Sequence, residues 1–236
     1  MSSQWELLQD VIPTDRAEQT HSRHYASSIS ADLPAGAIVL DLGCGTGRSR
    51  KVFRQAAPHT KWIGVDIPDS PEAASSGNVV RNSVHFDGIQ LPFSSESIDC
   101  VYSNQVLEHV RHPEVLLAEV ERILKPGAPF IGSTSHLEPY HSRSYWNFTP
   151  YGLRTIIDDA GLQVLELRPG IDGPTLIERQ LRGKPKEMSR FFSEESPVNT
   201  EIRKWGRRRL KKTALVNNRM LQFCGHVAFH AVKPTG

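Results

Sequence analysis

In the run VLDLGCGTG (39–47), Asp41 is followed by glycines at alternate positions, Gly43, Gly45 and Gly47. An apolar stretch leads into the run and a helical pattern leaves it. The glycines therefore fall where a strand turns into a helix. Glycine there accepts positive φ and lets a ligand approach the backbone closely. In an open α/β sheet such turns lie at the carboxyl ends of the strands, where ligands bind. A dinucleotide fingerprint requires G-x-G-x-x-G, and counted from Gly43 its last glycine falls on Arg48. Asp41 points the same way. A carboxylate just before the glycines opposes a pyrophosphate but suits a ligand bearing ammonium and sulfonium groups.

S-adenosylmethionine carries both groups. A second acid, Asp66 of GVDI (64–67), stands 19 residues past Gly47, the region where nucleotide-binding folds place a carboxylate on ribose hydroxyls. It indicates a nucleoside without choosing between NAD and S-adenosylmethionine. Methyl transfer rests mainly on alignment, and an oxygen nucleophile also needs a general base. Histidine suits that role near neutral pH. His136 and His141, after an expected fifth strand, lead as catalytic candidates. His109 suits packing of its own EHVRHP turn better. Tyr140, Tyr145 and Trp146 would shape an acceptor wall, and His24-Tyr25 would close over the cofactor from a short N-terminal helix. Arg203, Lys204, Arg207, Arg208, Arg209, Lys211 and Lys212 cluster around Trp205. That cluster is either a phosphate contact or a solvated helix face, and the near-neutral charge of the rest favours the second.

The elements that must position these residues follow from the pattern of apolar runs. Short buried-strand patterns cover 37–43, 61–67, 84–87, 97–104, 129–135, 162–168 and 226–232. Helical patterns cover 16–29, 48–57 and 113–124. In the last, Pro113 opens the helix, Val115, Leu116, Val120, Ile123 and Leu124 form the apolar face, and Pro126-Gly127 ends it. Thr149 caps a further helix reaching Ala160, with Gly161 as its stop. Strands alternating with helices predict a Rossmann-like, seven-stranded, mostly parallel sheet with helices on both faces. An N-terminal helical lid segment would occupy residues 1–35 and the main domain 36–236. A helical insertion over about 170–222 would precede the last strand, being too long for a plain loop.

With 38% apolar and 23% charged residues in 236, a packed core is feasible. A formal charge of +2 is too mild to announce a nucleic-acid binder. Cys44, Cys100 and Cys224 are scattered, without CxxC spacing, so neither a disulfide framework nor a metal site is expected. No stretch is long and apolar enough for a membrane span, and a cytoplasmic location is the expectation.

Several ordered segments over residues 36–168 resemble the small class I S-adenosylmethionine-dependent methyltransferases, the UbiE-like and type 11 group. VLDLGCGTG is similar to their first motif and GVDI to their second-strand acid. DGIQLPFSSESIDCVYSNQVLEHV (87–110) resembles their run into the fourth strand. LLAEVERILKPGAPF (116–130) resembles their LKPGG segment, with Ala128 in place of the second glycine. HSRSYWNFTPYGLRTIIDDAGL (141–162) is similar to a YWRFTPxGL segment of some members. The resemblance implies that Asp41, Gly43 and Gly45 frame the methionine part of S-adenosylmethionine. It implies that Asp66 with Ile67 holds the ribose, that Asp87, Gly88 and Ile89 lie at the adenine, and that Asn104 and Gln105 approach the methionine end. The expected activity is methyl transfer to a small-molecule acceptor, most naturally a hydroxyl oxygen. An RNA or protein methyltransferase using the 203–212 segment and a non-catalytic S-adenosylmethionine-binding subunit are the alternatives. SNQV stands where base amino-methylases carry an NPPY-type tetrapeptide. An NAD-dependent oxidoreductase is opposed by Arg48 and Asp41.

Overall fold

A computed structural model of the chain describes residues 3–29, 32–70, 80 and 82–236. Seven strands form one sheet: β1 (Ile38–Leu42), β2 (Lys61–Asp66), β3 (Ser83–His85), β4 (Cys100–Asn104), β5 (Pro129–Ser135), β6 (Gln163–Pro169) and β7 (His226–Val232). Their order is β3-β2-β1-β4-β5-β7-β6. Every pairing is parallel except those of β7, which runs antiparallel to both β5 and β6. The order reverses between β1 and β4, so the two strand ends that diverge there open a crevice at their carboxyl termini.

The strands alternate their side chains between two cores. Leu40, Leu42, Val101, Phe130 and Phe229 face one core, while Val39, Cys100, Tyr102, Ile131 and Ala228 face the other. The first core is covered by α4 (Pro113–Ile123) and α5 (Pro150–Asp159), and residues of α1 (Gln4–Leu8) and α8 (Thr213–Phe223) join it. The second is covered by α2 (Ser22–Ser28) and α3 (Ser49–Ala56). Pro113 opens α4 as expected, but Val115 is exposed and Leu117 takes its place on the buried face. The i, i+3, i+4 stripe through Leu116, Val120 and Ile123 carries Leu117 with it, whereas Val115 lies on the far side. Thr149 caps α5 through its hydroxyl, which accepts from the Gly152 amide at 3.0 Å, and Gly161 follows the helix with φ +88°.

The N-terminal segment departs from the expected single helix over 16–29. A capping box, Ser3 with Glu6, starts the short α1. Residues 15–21 are not helical. The Thr20 amide donates to the Pro169 carbonyl (2.8 Å), and the Gln19 side chain bonds residues 191–199. Of the 1–35 segment, residues 1, 2, 30 and 31 lie outside the described residues. Between β6 and β7 run α6 (Gly173–Leu181), a 3-10 turn (Lys186–Phe192), α7 (Pro197–Arg208) and α8. Gly206 does not interrupt α7. A Cβ there would lie 2.5 Å from Val216, so the glycine permits close approach of α7 and α8. Among the described residues no helix is long and apolar enough to cross a membrane.

Candidate functional site: a cleft at the carboxyl ends of the strands

The β1–α3 turn is left-handed at all three glycines, with φ of +67°, +49° and +71° at Gly43, Gly45 and Gly47. The amides of Gly43 and Cys44 donate to the Val65 carbonyl at 2.8 and 3.1 Å, binding the turn to β2. A Cβ on Gly43 would meet Val106 at 2.4 Å and one on Gly47 would meet Val80 at 2.7 Å, so only glycine fits here. Asp66 reaches back across the strand ends. One carboxylate oxygen accepts from the Gly45 amide (2.7 Å), the other from the Ile67 amide (2.8 Å).

Asp41 is buried at the base of the turn. The Ser49 hydroxyl donates to its carboxylate, and the Trp62 indole donates in turn to Ser49 at 2.8 Å. Burial pushes the Asp41 carboxyl up to about 7; the Ser49 bond opposes this and the Asp66 charge adds to it. The adjacent Cys44 thiol is pushed up to about 12 by burial and by both carboxylates, so it is inert as a nucleophile at neutral pH.

β2–β3 pairing sets His85 opposite Asp66, which brings the Asp87–Gly88 loop beside Ile67; a Cβ on Gly88 would sit 3.4 Å from the Ile67 side chain. Asp87 is solvent-exposed and accepts from the amides of Gln90 (2.7 Å) and Ile89 (2.8 Å), bonds that hold its carboxyl below the usual range. The Ile89 side chain is exposed as well. Asn104 and Gln105 stand at the end of β4. Gln105 takes φ +57°, its amide donates to the Ser133 carbonyl (2.8 Å), and its side-chain NH2 donates to the Ser133 hydroxyl (3.1 Å). That hydroxyl donates to Asn104 Oδ1 at 3.0 Å.

These strand ends open onto a cleft of about 610 Å³. Asp41, Gly43, Gly45, Tyr102, Asn104, Gln105 and Ser133 form its floor. Thr20, His21 and Arg23 form one wall, and Ile171, Phe192, Ser193 and His226 another. Asp66 and the Asp87–Ile89 loop lie to the β2–β3 side of this floor.

The expected catalytic histidines are placed differently. Neither His136 nor His141 is among the residues lining the cleft. The His136 amide donates to the Gly225 carbonyl (2.6 Å), and burial holds the ring below the usual histidine value against a bond to the Phe148 backbone. His141 lies with Nδ1 3.2 Å from the Pro139 carbonyl and 3.8 Å from Glu138, its ring edge-on to His109 at 5.1 Å. Tyr140, Tyr145 and Trp146 are exposed outside the cleft, the Trp146 indole donating to the Val110 carbonyl at 2.9 Å. Tyr25 is buried against the sheet, its hydroxyl donating to Glu166 at 3.0 Å, and His24 contacts Arg16. Arg23 and His21 reach the cleft instead.

The sequence reading missed a polar network on the β5–β7 side. β7 sets His226 opposite Ser135. His226 Nε2 is 3.0 Å from a Glu138 carboxylate oxygen, and the Ser135 hydroxyl contacts Glu138, Glu108 (3.0 Å) and Gln105 (3.1 Å). Burial pushes the Glu138 carboxyl up, but the His226 bond and charge and the Ser135 bond together hold it below its usual value. Glu108 is fully buried and also accepts from Thr134 at 2.8 Å. Three acceptors converge on Ser135, which has one proton to give. Three consecutive hydroxyls, Ser133-Thr134-Ser135, at the end of a buried strand were the available signal. Sequence spacing suggested no metal ligands, yet the fold brings donor atoms of Glu108, His109 and His141 within 4.8 Å of one another. His109 Nδ1 is buried without a hydrogen-bond partner.

Residues 40–132 match the family model described as a methyltransferase domain. An uncharacterized methyltransferase of Mycobacterium avium is 37% identical over 97 residues, 39% of this chain and 37% of that protein. A Mycolicibacterium smegmatis protein described as a probable S-adenosylmethionine-dependent methyltransferase is 28% identical over 160 residues, 63% of this chain and 60% of that protein. The chain thus spans between 37% and 60% of the length of these curated relatives. A solved phosphoethanolamine N-methyltransferase 2 of Haemonchus contortus, bound to S-adenosyl-L-methionine, shares the fold. Its TM-score is 0.56 at 18% identity, covering 90% of this chain and 52% of that one. Residues 40–132, with the glycine turn and the two strand-end acids, thus carry a methyltransferase domain, and the 3-2-1-4-5-7-6 sheet is the Rossmann-like methyltransferase fold.

Proposed function

We propose that the protein methylates a hydroxyl oxygen of a small acceptor, with His226 as the general base. The observation that supports this reading is the His226–Glu138 pair on the wall of the cofactor cleft. S-adenosylmethionine, when bound, supplies a methyl group already activated by its sulfonium. The cleft fits that ligand: the glycine turn leaves its backbone open to close approach, Asp41 offers a carboxylate to the ammonium, and Asp66 with Ile67 lies where the ribose is expected. Asp87, Gly88 and Ile89 serve the adenine, and Asn104 and Gln105 the methionine end. The volume suits a cofactor with a small acceptor.

A hydroxyl must lose its proton as the carbon–oxygen bond forms, whereas an amine acceptor needs no such base at the moment of attack. Glu138 accepts from His226 Nε2 and fixes that tautomer, which leaves Nδ1 to take the proton. No other described residue hydrogen-bonds Nδ1. His141 acts through Glu138, supporting its charge from the opposite side. His136 supports the β5 end through its backbone bond to Gly225.

The test is a methyl-labelled donor offered with a panel of hydroxylated metabolites, read by mass spectrometry. His226→Ala is expected to lower transfer by roughly 10²-fold or more while S-adenosylhomocysteine still binds by calorimetry. Undiminished transfer in that variant overturns the assignment, and methylated amines as the sole products overturn the oxygen reading.

A further inference from the structure

Two cations, Arg23 and Arg48, line the cleft. Arg23 comes from the first turn of α2, on the wall it shares with Thr20 and His21, and Arg48 comes from the glycine turn at the start of α3. Among the described residues neither makes an ion pair or a side-chain hydrogen bond. Arg16, Arg122, Arg143, Arg154, Arg168, Arg182, Arg190 and Arg203 all pair with carboxylates. Against Arg23 and Arg48 the lining holds a single carboxylate, Asp41.

The cofactor deepens this imbalance. It brings an ammonium and a sulfonium against one carboxylate, a net positive charge entering an already basic cleft. Its carboxylate satisfies one arginine at most. Arg48, inside the turn that frames the methionine part, is the one within that group's reach. Arg23, on the facing wall, is left over. Its backbone is not loose: Tyr25, two residues on, is buried with its hydroxyl on Glu166, and Thr20 is bonded to the end of β6. A cationic acceptor would meet repulsion from both arginines and from the sulfonium. An anionic one would be drawn in by them and would pair with Arg23.

We propose that the acceptor is an anion, carrying a carboxylate or a phosphate that Arg23 receives beside His21 at the mouth of the cleft. This rests on the reading of the cleft as an S-adenosylmethionine site and adds the chemical class of the acceptor. The anion orients the acceptor so that its hydroxyl lies between the methyl group and the His226 wall.

The experiment separates the two levels. S-adenosylhomocysteine is first titrated into the wild-type protein by calorimetry; if it does not bind, the cofactor reading itself has failed. The saturated complex is then titrated in separate arms with benzoate and with inorganic phosphate. Saturable binding of one is expected, and which one binds tells carboxylate from phosphate. Arg23→Ala is expected to weaken that binding at least 10-fold, with Arg23→Lys restoring part of it and S-adenosylhomocysteine affinity unchanged. Arg48→Gln is expected to do the converse, weakening S-adenosylhomocysteine. Both arginines are exposed, so the variants should melt within a few degrees of wild type. If the saturated complex binds neither anion, or if Arg23→Ala binds it as wild type does, the anionic-acceptor inference is overturned while the cofactor reading stands.

Discussion

Asp41 concentrates the chemistry of the site in one ionisation. Its carboxyl is raised to about 7 in the folded protein, chiefly by burial, while the unfolded chain keeps the ordinary value near 3.8. Between those values the folded state holds a proton that the unfolded state has released. Stability from this residue is therefore full below about pH 4, falls as pH rises to 7, and is level beyond. The cost at neutral pH is on the order of 4 kcal/mol. An ammonium beside Asp41 favours the ionised form. Affinity for S-adenosylhomocysteine is thus expected to rise as pH goes from 6 to 8, with proton release seen as a buffer-dependent calorimetric enthalpy. Asp41→Asn should flatten that dependence; an unchanged pH profile in the variant would show that Asp41 does not meet the ammonium. Asp41 and the glycines were legible because they crowd into seven residues whose types carry the chemistry, and Asp66 because it ends the next apolar run. His226 and Glu138 were not. They lie 88 residues apart, and only the antiparallel pairing of β5 with β7 joins them.

At the scale of elements, the sheet was the most legible feature. β5 and β7 fall where the apolar runs predicted, and the other strands differ by one to three residues at their ends. Short buried runs flanked by glycine and proline leave few alternatives. The N-terminal helix was the poorest, because bonds to β6 and to residues 191–199 override local helical preference there. Gly132 shows how tightly the elements meet. A Cβ would lie 1.8 Å from the Ser103 carbonyl oxygen and 2.9 Å from Phe229. Gly132→Ala should force β4 and β5 apart at Ser103, costing about 4 kcal/mol. A melting temperature lowered by roughly 8–16 °C is the expected reading. A shift under 2 °C would mean the strands adapt without separating.

Across the whole molecule, Gln19 joins the N-terminal segment to the region before β7. Its carbonyl oxygen accepts from the Ser196 amide and hydroxyl and from Asn199, and its NH2 donates to the Phe191 and Glu194 carbonyls. Ser196 and Asn199 are fully buried, so Gln19→Ala would strand polar groups that water does not reach. The expected loss is about 2–4 kcal/mol, read as a lower denaturant midpoint. An unchanged midpoint would show that the two walls of the cleft stand independently. No local pattern marks Gln19, since its partners are some 175 residues away.

β7 belongs to the sheet's interior but is the last strand in chain order. During synthesis at about 5–20 residues per second, the 88 residues from Glu138 to His226 take roughly 4–18 s. Through that interval β5 is complete but lacks the neighbour it will pair with over seven residues. A growing chain thus carries a bare strand edge one strand away from β1 and its glycine turn, with only β4 between them, the kind of edge that recruits other chains. The strand that delivers the proposed base is also the one that ends this exposure.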